Sequence, residues 1–375
     1  VIIISLYVPE NYRFRDSISI TLNDFEHLIF IMPRKNIEFK NNVGVTLRGW
    51  LYTPTDTTEK PLPCLVMEHG FSAVKEMGLD TFAEVFIGKL NLAVVIYDNR
   101  GFGNSDVATG QPRLEIIPSD QIYDFQDAIT YAQSLPQVDP ERIGIWGSSY
   151  AGGNAIVVAA TDKRVRAIIS QVSSNSPSLF IYKLQLVITP EHSIFTSQIK
   201  RKLNLKLIIN QVPFVDGPTT FSRIIRPDAV AGLNAAFQAD RIARADGKPA
   251  ATLPVATNDP LVQAALPTSD CYPFFSQLPS ELSWKNEVTL RSMELMRGYA
   301  PHNLIEYIAP TPLLMIVQDR DVLTASDLSL KAFAKALEPK ELLVLKGGHF
   351  EAYTAANLGI SIQRQVEFLQ KTLCI

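Results

Sequence analysis

Gly144-Ile145-Trp146-Gly147-Ser148-Ser149-Tyr150-Ala151-Gly152-Gly153 is the stretch whose residue types most plainly permit covalent chemistry. A short apolar run, Ile143–Trp146, leads into it, and the small-residue segment Asn154–Ala160 leads out. That context describes a strand turning sharply into a helix, with a serine hydroxyl projected at the turn. So tight a turn requires small residues two places before and two places after the nucleophile. Gly147 and Ala151 meet this demand around Ser149, whereas centring on Ser148 would put Trp146 and Tyr150 in the crowded places. Ser149 is therefore the expected nucleophile. The pattern is G-x-S-x-A, with Gly152 one place late for G-x-S-x-G. A phosphate-binding loop is the rival reading, but G-x-G-x-x-G and Gly-Lys-Ser/Thr are both lacking.

A serine hydroxyl needs a base, and the base needs a carboxylate to orient it. Along the chain such partners can follow in the order Ser, acid, His. His349 lies in Leu345-Lys346-Gly347-Gly348-His349-Phe350, between an apolar run and the last amphipathic segment, and is the expected base. The acid should sit at the end of the preceding run, Leu314–Val317. Asp321 and Asp319 both qualify; Asp321 is preferred because it lies deeper in the turn, and Asp216 is a weaker third candidate. Charge developing on a carbonyl oxygen would need two backbone N–H donors. Tyr150, next after the serine, is one, and Phe71, in the Glu68-His69-Gly70-Phe71 loop after the run Cys64–Met67, is the other. His69 is expected to hold that loop through hydrogen bonds rather than to act in chemistry.

These residues need a scaffold that brings them together. Val45–Tyr52 alternates in part, as a half-buried strand does. Cys64–Met67, Leu92–Tyr97, Ile143–Trp146, Ala167–Ser170, Leu313–Val317 and Leu342–Leu345 are continuous apolar runs, suited to strands buried on both faces of a parallel sheet. Amphipathic helices are predicted between them over Thr81–Leu90, Asp120–Ser134, Leu328–Leu337 and Ile360–Leu373. The alternation implies an α/β fold with right-handed crossovers. It is interrupted over residues 213–305, which are rich in proline and aspartate and carry short helical pieces. A region of that length without structure would be unusual, so it is expected to cap the site.

Composition narrows the function classes. The chain has 375 residues and is 46% hydrophobic, enough for a sizeable core, and its 19% charged residues argue against a charge-driven disordered protein. A net charge of −3 does not suggest a nucleic-acid surface. No apolar run reaches the ~18 residues of a membrane span. Cys64, Cys271 and Cys374 are odd in number and far apart, so neither a disulfide framework nor a zinc site is expected. A reducing compartment, the cytoplasm, follows as the default. The five histidines show no HxxxH or HxH spacing, and no metal or cofactor is expected.

Two segments depart from the rest in composition. Residues 1–31 contain no Gly, Ala or Lys and make a poor signal peptide. They read either as translated upstream sequence with Met32 as the natural start, or as an ordinary N-terminal extension. Residues 173–212 contain no Gly, Ala or Asp, and Ile168-Ile169-Ser170-Gln171-Val172 is nearly repeated as Ile208-Ile209-Asn210-Gln211-Val212. The segment is either a genuine insertion in a lid or an unspliced intron read in frame, and the second is the expectation.

Taken together, His69-Gly70-Phe71, Asp98-Asn99-Arg100-Gly101-Phe102-Gly103-Asn104-Ser105, the Ser149 turn, Asp321 and His349 resemble the α/β-hydrolase superfamily over about residues 40–172 and 213–375. Glu76-Met77-Gly78, Trp284–Ser292 and Pro310-Thr311-Pro312-Leu313-Leu314 are similar to a narrower group of dienelactone-hydrolase-like and peptidase S15-like proteins that includes fungal polyketide transferases. True dienelactone hydrolases use cysteine where this chain has Ser149, so that substrate does not carry over. The resemblance implies a mostly parallel, doubly wound sheet with an inserted helical cap. A hydrolase core would run over 32–172 and 306–375, a cap over 213–305, with 1–31 and 173–212 as the doubtful segments. It implies a serine hydrolase acting through an acyl-enzyme on an ester, lactone or thioester of a hydrophobic small molecule, without a cofactor. An acyl or polyketide transferase using the same residues is the alternative. A ligand-binding protein that has kept the fold without catalysis is a further one. Oligomeric state is left open.

The intron reading generates a test. Residues 173–212 carry apolar, β-prone stretches such as Leu179-Phe180-Ile181-Tyr182 and only two prolines to shape turns. Deleting them joins Val172 to Pro213, an extended X-Pro boundary. The deletion variant is expected to express in higher soluble yield than the full chain. An insoluble or inactive deletion variant beside an active full chain would make the segment part of a lid.

Overall fold

Successive side chains of a strand point to opposite faces of its sheet, and the apolar runs of this chain use both directions. The computed structural model describes residues 34–54, 60–171, 213–351 and 355–375. The expectations for residues 1–31 and 173–212 lie outside them. Eight strands form one sheet: β1 (Arg34–Lys40), β2 (Thr46–Tyr52), β3 (Leu62–Glu68), β4 (Ala93–Tyr97), β5 (Val138–Ser148), β6 (Val165–Gln171), and, late in the chain, Leu313–Gln318 and Lys340–Leu345. Two short strands between them, β7 (Thr252–Leu253) and β8 (Val288–Thr289), pair only with each other, so the last two sheet strands are β9 and β10. The order across the sheet is β1-β2-β4-β3-β5-β6-β9-β10. β2 is antiparallel to both neighbours, and the remaining pairs are parallel.

Along β3, Cys64 and Val66 face one way and Leu65 and Met67 the other, and each pair belongs to a different core. Helices α2 (Pro118–Ser134) and α3 (Tyr150–Thr161) pack on the first face through residues such as Phe125, Ile129 and Ile156. Helices α1 (Leu79–Lys89) and α9 (Ala355–Leu373) pack on the second through Phe82, Phe86, Ile362 and Leu369. The fold is thus an α/β hydrolase fold with helices on both faces of a mostly parallel sheet. A third apolar cluster lies over the strand ends. There the segment after Pro213 contributes α4 (Gly217–Ile224), α5 (Val230–Ala245), α6 (Cys271–Phe275) and α7 (Leu290–Arg297). Helix α8 (Ser326–Lys335) follows β9.

Several expectations are corrected. Strand β1 escaped notice because only Ile37 and Phe39 of its seven residues turn inward. β10 was expected to be buried on both faces, but it is the sheet edge and mostly half-buried. β5 begins at Val138, ahead of its apolar run, and α5 is a helix of 16 residues where only short pieces were expected. Among the described residues, no helix is long and apolar enough to cross a membrane. Cys64 and Cys271 are buried and Cys374 exposed, all three as free thiols.

The Asp98–Ser105 motif is a structural knot beside the site. Asp98, fully buried, accepts hydrogen bonds from the Lys75 N–H and Nζ, at 2.8 and 2.6 Å, and from the Asn104 N–H at 3.0 Å. Gly103 has φ +46°, and a Cβ there would lie 2.3 Å from the Asp98 carboxylate, so glycine is required on both counts. The Ser105 hydroxyl donates to Asp98 O and accepts the Arg48 N–H, tying the loop to β2. Arg100 grips Asp124 of α2 with two bonds of 2.6 Å and reaches Asp120 at 3.1 Å. Asp124 is fully buried, and loss of water pushes its carboxyl up despite the guanidinium. Removing a buried charge's partner is costly. Arg100→Met is therefore expected to destabilise the fold by about 3–5 kcal/mol, read as a lowered urea midpoint.

Candidate active site

Ser149 sits between β5 and α3 with φ 52° and ψ −115°, a backbone region that side-chain-bearing residues rarely occupy. Two backbone bonds hold it there: its N–H donates to Gln171 O at 2.7 Å, and its carbonyl accepts the Phe214 N–H at 3.0 Å. A Cβ on Gly147 would lie 2.0 Å from Ala151 O, so only glycine lets the chain double back beneath the serine. The Ser149 hydroxyl faces His349 Nε2 at 3.5 Å, the outer limit of a hydrogen bond. Catalytic contacts are often this loose before substrate binds.

His349 is placed by the loop after β10, in which Gly347 adopts φ +125°. Its Nδ1 lies 2.5 Å from Asp321 Oδ2, and both side chains are buried. A carboxylate only accepts, so Nδ1 carries the proton and Nε2 presents its lone pair to Ser149. Asp321 is itself held on every side. Its Oδ1 accepts the N–H groups of Leu323 and Thr324, each at 2.8 Å, and its Oδ2 also accepts the Thr324 hydroxyl at 3.0 Å. The same hydroxyl lies 3.2 Å from His349 Nδ1. The Ser326 hydroxyl accepts the Asp321 N–H and donates to Gln318 O, pinning the loop to β9.

The other two acid candidates are occupied elsewhere. Asp319 accepts Lys346 Nζ at 2.8 Å and the Gly347 N–H at 2.9 Å, and the Lys346 contact holds its carboxyl below the usual range. Asp216 caps α4 by accepting the Thr219 N–H at 3.0 Å. His69 links two loops: Nε2 accepts the Asn99 N–H and Nδ1 donates to Gly70 O, both at 3.0 Å. Burial lowers its pKa, which keeps the ring neutral, as this arrangement of donor and acceptor requires.

Phe71 and Tyr150 flank Ser149, and neither N–H has a hydrogen-bond partner among the described residues. Both border a cavity onto which Ser149 and His349 also open. Its walls are mostly aromatic and thioether, from Phe221, Phe274 and Phe350 to Met77, Met293 and Met296, relieved by the hydroxyls of Ser148, Thr220 and Thr324. No acidic or basic side chain other than His349 lines it among the described residues. Among those residues no cluster of His, Cys, Asp or Glu is suited to a metal ion.

Sequence reasoning passed over two participants. Thr324 bridges acid and imidazole, but a threonine three places after an aspartate carries no special signal. Glu68 takes the last position of β3, a charged residue in the sheet directly after an apolar run, which was a visible anomaly. Asn154 Nδ2 donates to both of its oxygens, at 3.1 and 3.2 Å.

Sheet order, turn and buried relay together define an α/β hydrolase fold, and the chain is similar to the peptidase S15-like group that includes fungal polyketide transferases. The family model described as X-Pro dipeptidyl-peptidase (S15 family) matches residues 44–202. A polyketide transferase of Gibberella fujikuroi is 28% identical over 345 residues, covering 92% of this chain and 98% of its own. A thiohydrolase of Eupenicillium brefeldianum is 27% identical, covering 91% and 95%. Among solved structures, the α/β hydrolase GrgF from Penicillium sp. sh18 superposes with a TM-score of 0.71 at 26% identity, covering 92% of this chain and 100% of that one. The chain is accordingly an enzyme of esterase-like hydrolase or acyl-transfer type.

The close approach at the turn can be probed directly. Gly147→Ala forces the turn open against backbone, and overpacking of this kind costs about 1–3 kcal/mol. The expected outcome is a lowered urea midpoint together with loss of labelling at Ser149 by a fluorophosphonate.

Proposed function

We propose that this protein is a serine-dependent acyl hydrolase. The observation that carries the reading is the continuous relay from Ser149 through His349 to Asp321, opening onto an apolar cavity. In this mechanism His349 Nε2 takes the Ser149 proton as the oxygen attacks an acyl carbonyl. Asp321 orients the ring and stabilises the imidazolium. The N–H groups of Phe71 and Tyr150 receive the charge on the carbonyl oxygen. Collapse of the tetrahedral intermediate expels the leaving group, which takes the proton from His349, and leaves the acyl group on Ser149. Water, deprotonated by the same imidazole, then releases the acid.

The walls favour an ester, lactone or thioester with a hydrophobic acyl part, and residues 213–305 act as the cap that supplies much of this surface. A second reading replaces water by an alcohol, making the protein an acyl or polyketide transferase; the Gibberella relative supports it. Both readings share the acyl-enzyme and part only at its acceptor. A fold retained for ligand binding alone is disfavoured, because it leaves the relay without a purpose. The X-Pro dipeptidyl activity of the family's name is not expected here. Such a substrate carries a free ammonium group, and the described wall offers it no carboxylate.

Ser149→Ala is expected to abolish turnover and fluorophosphonate labelling while the fold survives, and Ser148→Ala to keep most activity. Asp321→Asn should lower kcat by about 10⁴-fold, as loss of the orienting anion does in serine triads, with Asp319→Asn close to wild type. Product mass spectrometry of thioester and ester donors, with water or alcohols as acceptors, separates hydrolysis from transfer. A wild-type enzyme that never acylates Ser149 would refute both.

A further inference from the structure

Beneath the site lies a polar cluster that the mechanism does not use. Glu68 precedes His69-Gly70-Phe71 and is fully buried. In the sheet it stands beside Tyr97 of β4 on one side and Gly147 of β5 on the other. Its two carboxyl oxygens accept hydrogen bonds from Asn154 Nδ2, on the helix that begins at Tyr150. Asn154 Oδ1 in turn accepts the Tyr299 hydroxyl at 2.8 Å, and Tyr299 O accepts the Gly217 N–H at the start of α4. One buried chain of side chains therefore links the Phe71 loop, the Tyr150 helix and the cap.

The charge around Glu68 is unusual for a carboxylate. The groups that act on it are the Tyr97 phenol from β4, the Asp124 carboxylate from α2, the Tyr150 phenol from α3, the Tyr299 phenol after α7 and the amides of Asn99 and Asn154. None is a cation. The Arg100 guanidinium is committed to Asp124 and Asp120. Ionised, this carboxyl would be a fully buried charge facing only neutral groups and another carboxylate.

We infer that Glu68 is a positioning residue that holds the two oxyanion donors at their working spacing only as a neutral carboxylic acid, so that its ionisation ends activity at the alkaline side. This rests on the reading of Phe71 and Tyr150 as those donors. Burial supports it by pushing the Glu68 carboxyl well above the usual carboxylate range. The sign follows: the proton is present below the raised pKa and lost as pH rises through it. The unshielded anion then pushes on Asp124, and β3 separates from α3. Catalysis suffers while binding in the apolar cavity does not.

The experiment measures kcat and KM for a p-nitrophenyl acyl ester across pH, for wild type, Glu68→Gln and Glu68→Leu, alongside fluorophosphonate labelling. Gln copies the neutral acid in shape and donates a hydrogen bond but cannot ionise. The wild type is expected to lose kcat at alkaline pH with KM little changed, and Glu68→Gln to rescue that loss. Glu68→Leu should lower kcat by about 10- to 100-fold at neutral pH, as sub-ångström misplacement of catalytic groups does. The infrared carbonyl stretch of a protonated carboxylic acid should be present in wild type, absent from Glu68→Gln, and vanish over the pH range in which kcat falls. A labelled enzyme in which Glu68→Gln keeps the wild-type alkaline fall, or a wild type without that infrared band at neutral pH, overturns this inference alone. A wild type that is neither labelled nor active overturns the serine reading and this one with it.

Discussion

Two backbone hydrogen bonds, from Ser149 to Gln171 and from Phe214 to Ser149, hold one residue in a conformation it would not adopt unaided. Strain of that kind costs about 1–3 kcal/mol and persists only where the surroundings over-determine it. Here β6 supplies one restraint and the segment leading into α4 the other. The elbow is thus clamped between sheet and cap. Gly147 beneath it and Gly152 beside it leave the space in which the chain reverses. The hydroxyl at the apex is presented by the whole sheet rather than by its own loop.

Around the elbow, charge is placed in water-poor surroundings and matched group by group. Lys75 meets Asp98, Arg100 meets Asp124, and Asp321 accepts three hydrogen bonds from its own loop and a fourth from His349. Each match fixes a loop that touches the site: the Phe71 loop, the crossing toward α2, and the turn after β9. A saturated carboxylate such as Asp321 has little freedom to rotate, so the imidazole it orients has little either. Thr324 completes that restraint by touching both.

In the proposed mechanism, fold and relay do not choose the acyl acceptor. An apolar wall binds an acyl chain by excluding water from it, at about 25 cal/mol per Å² buried. It says little about the small hydroxylic molecule that would attack the proposed acyl-enzyme. Either proposed acceptor, water or an alcohol, would present the same O–H to His349 and differ only in what lies behind it. Hydrolases and transferases can therefore share this architecture, as the thiohydrolase and polyketide transferase among its relatives illustrate.

Much of this was legible in the residue order. The short apolar runs became the strands because continuous burial on two faces leaves no room for polar alternation. Small residues about Ser149 marked the elbow, because bulk there is sterically excluded. The sequence could also place Asp319 and Asp321 at one turn, but only tertiary structure separated them. Lys346 and Gly347 come from the loop after a different strand, β10, and draw Asp319 aside, leaving Asp321 beside His349. Strand β1, the half-exposed edge at β10 and the length of α5 also awaited the structure, since edge position and cap packing depend on partners far away along the chain. The Glu68–Asn154–Tyr299 chain belongs with them. Its members are 86 and 145 residues apart in sequence, and no local pattern records a contact made only when sheet, helix and cap close together.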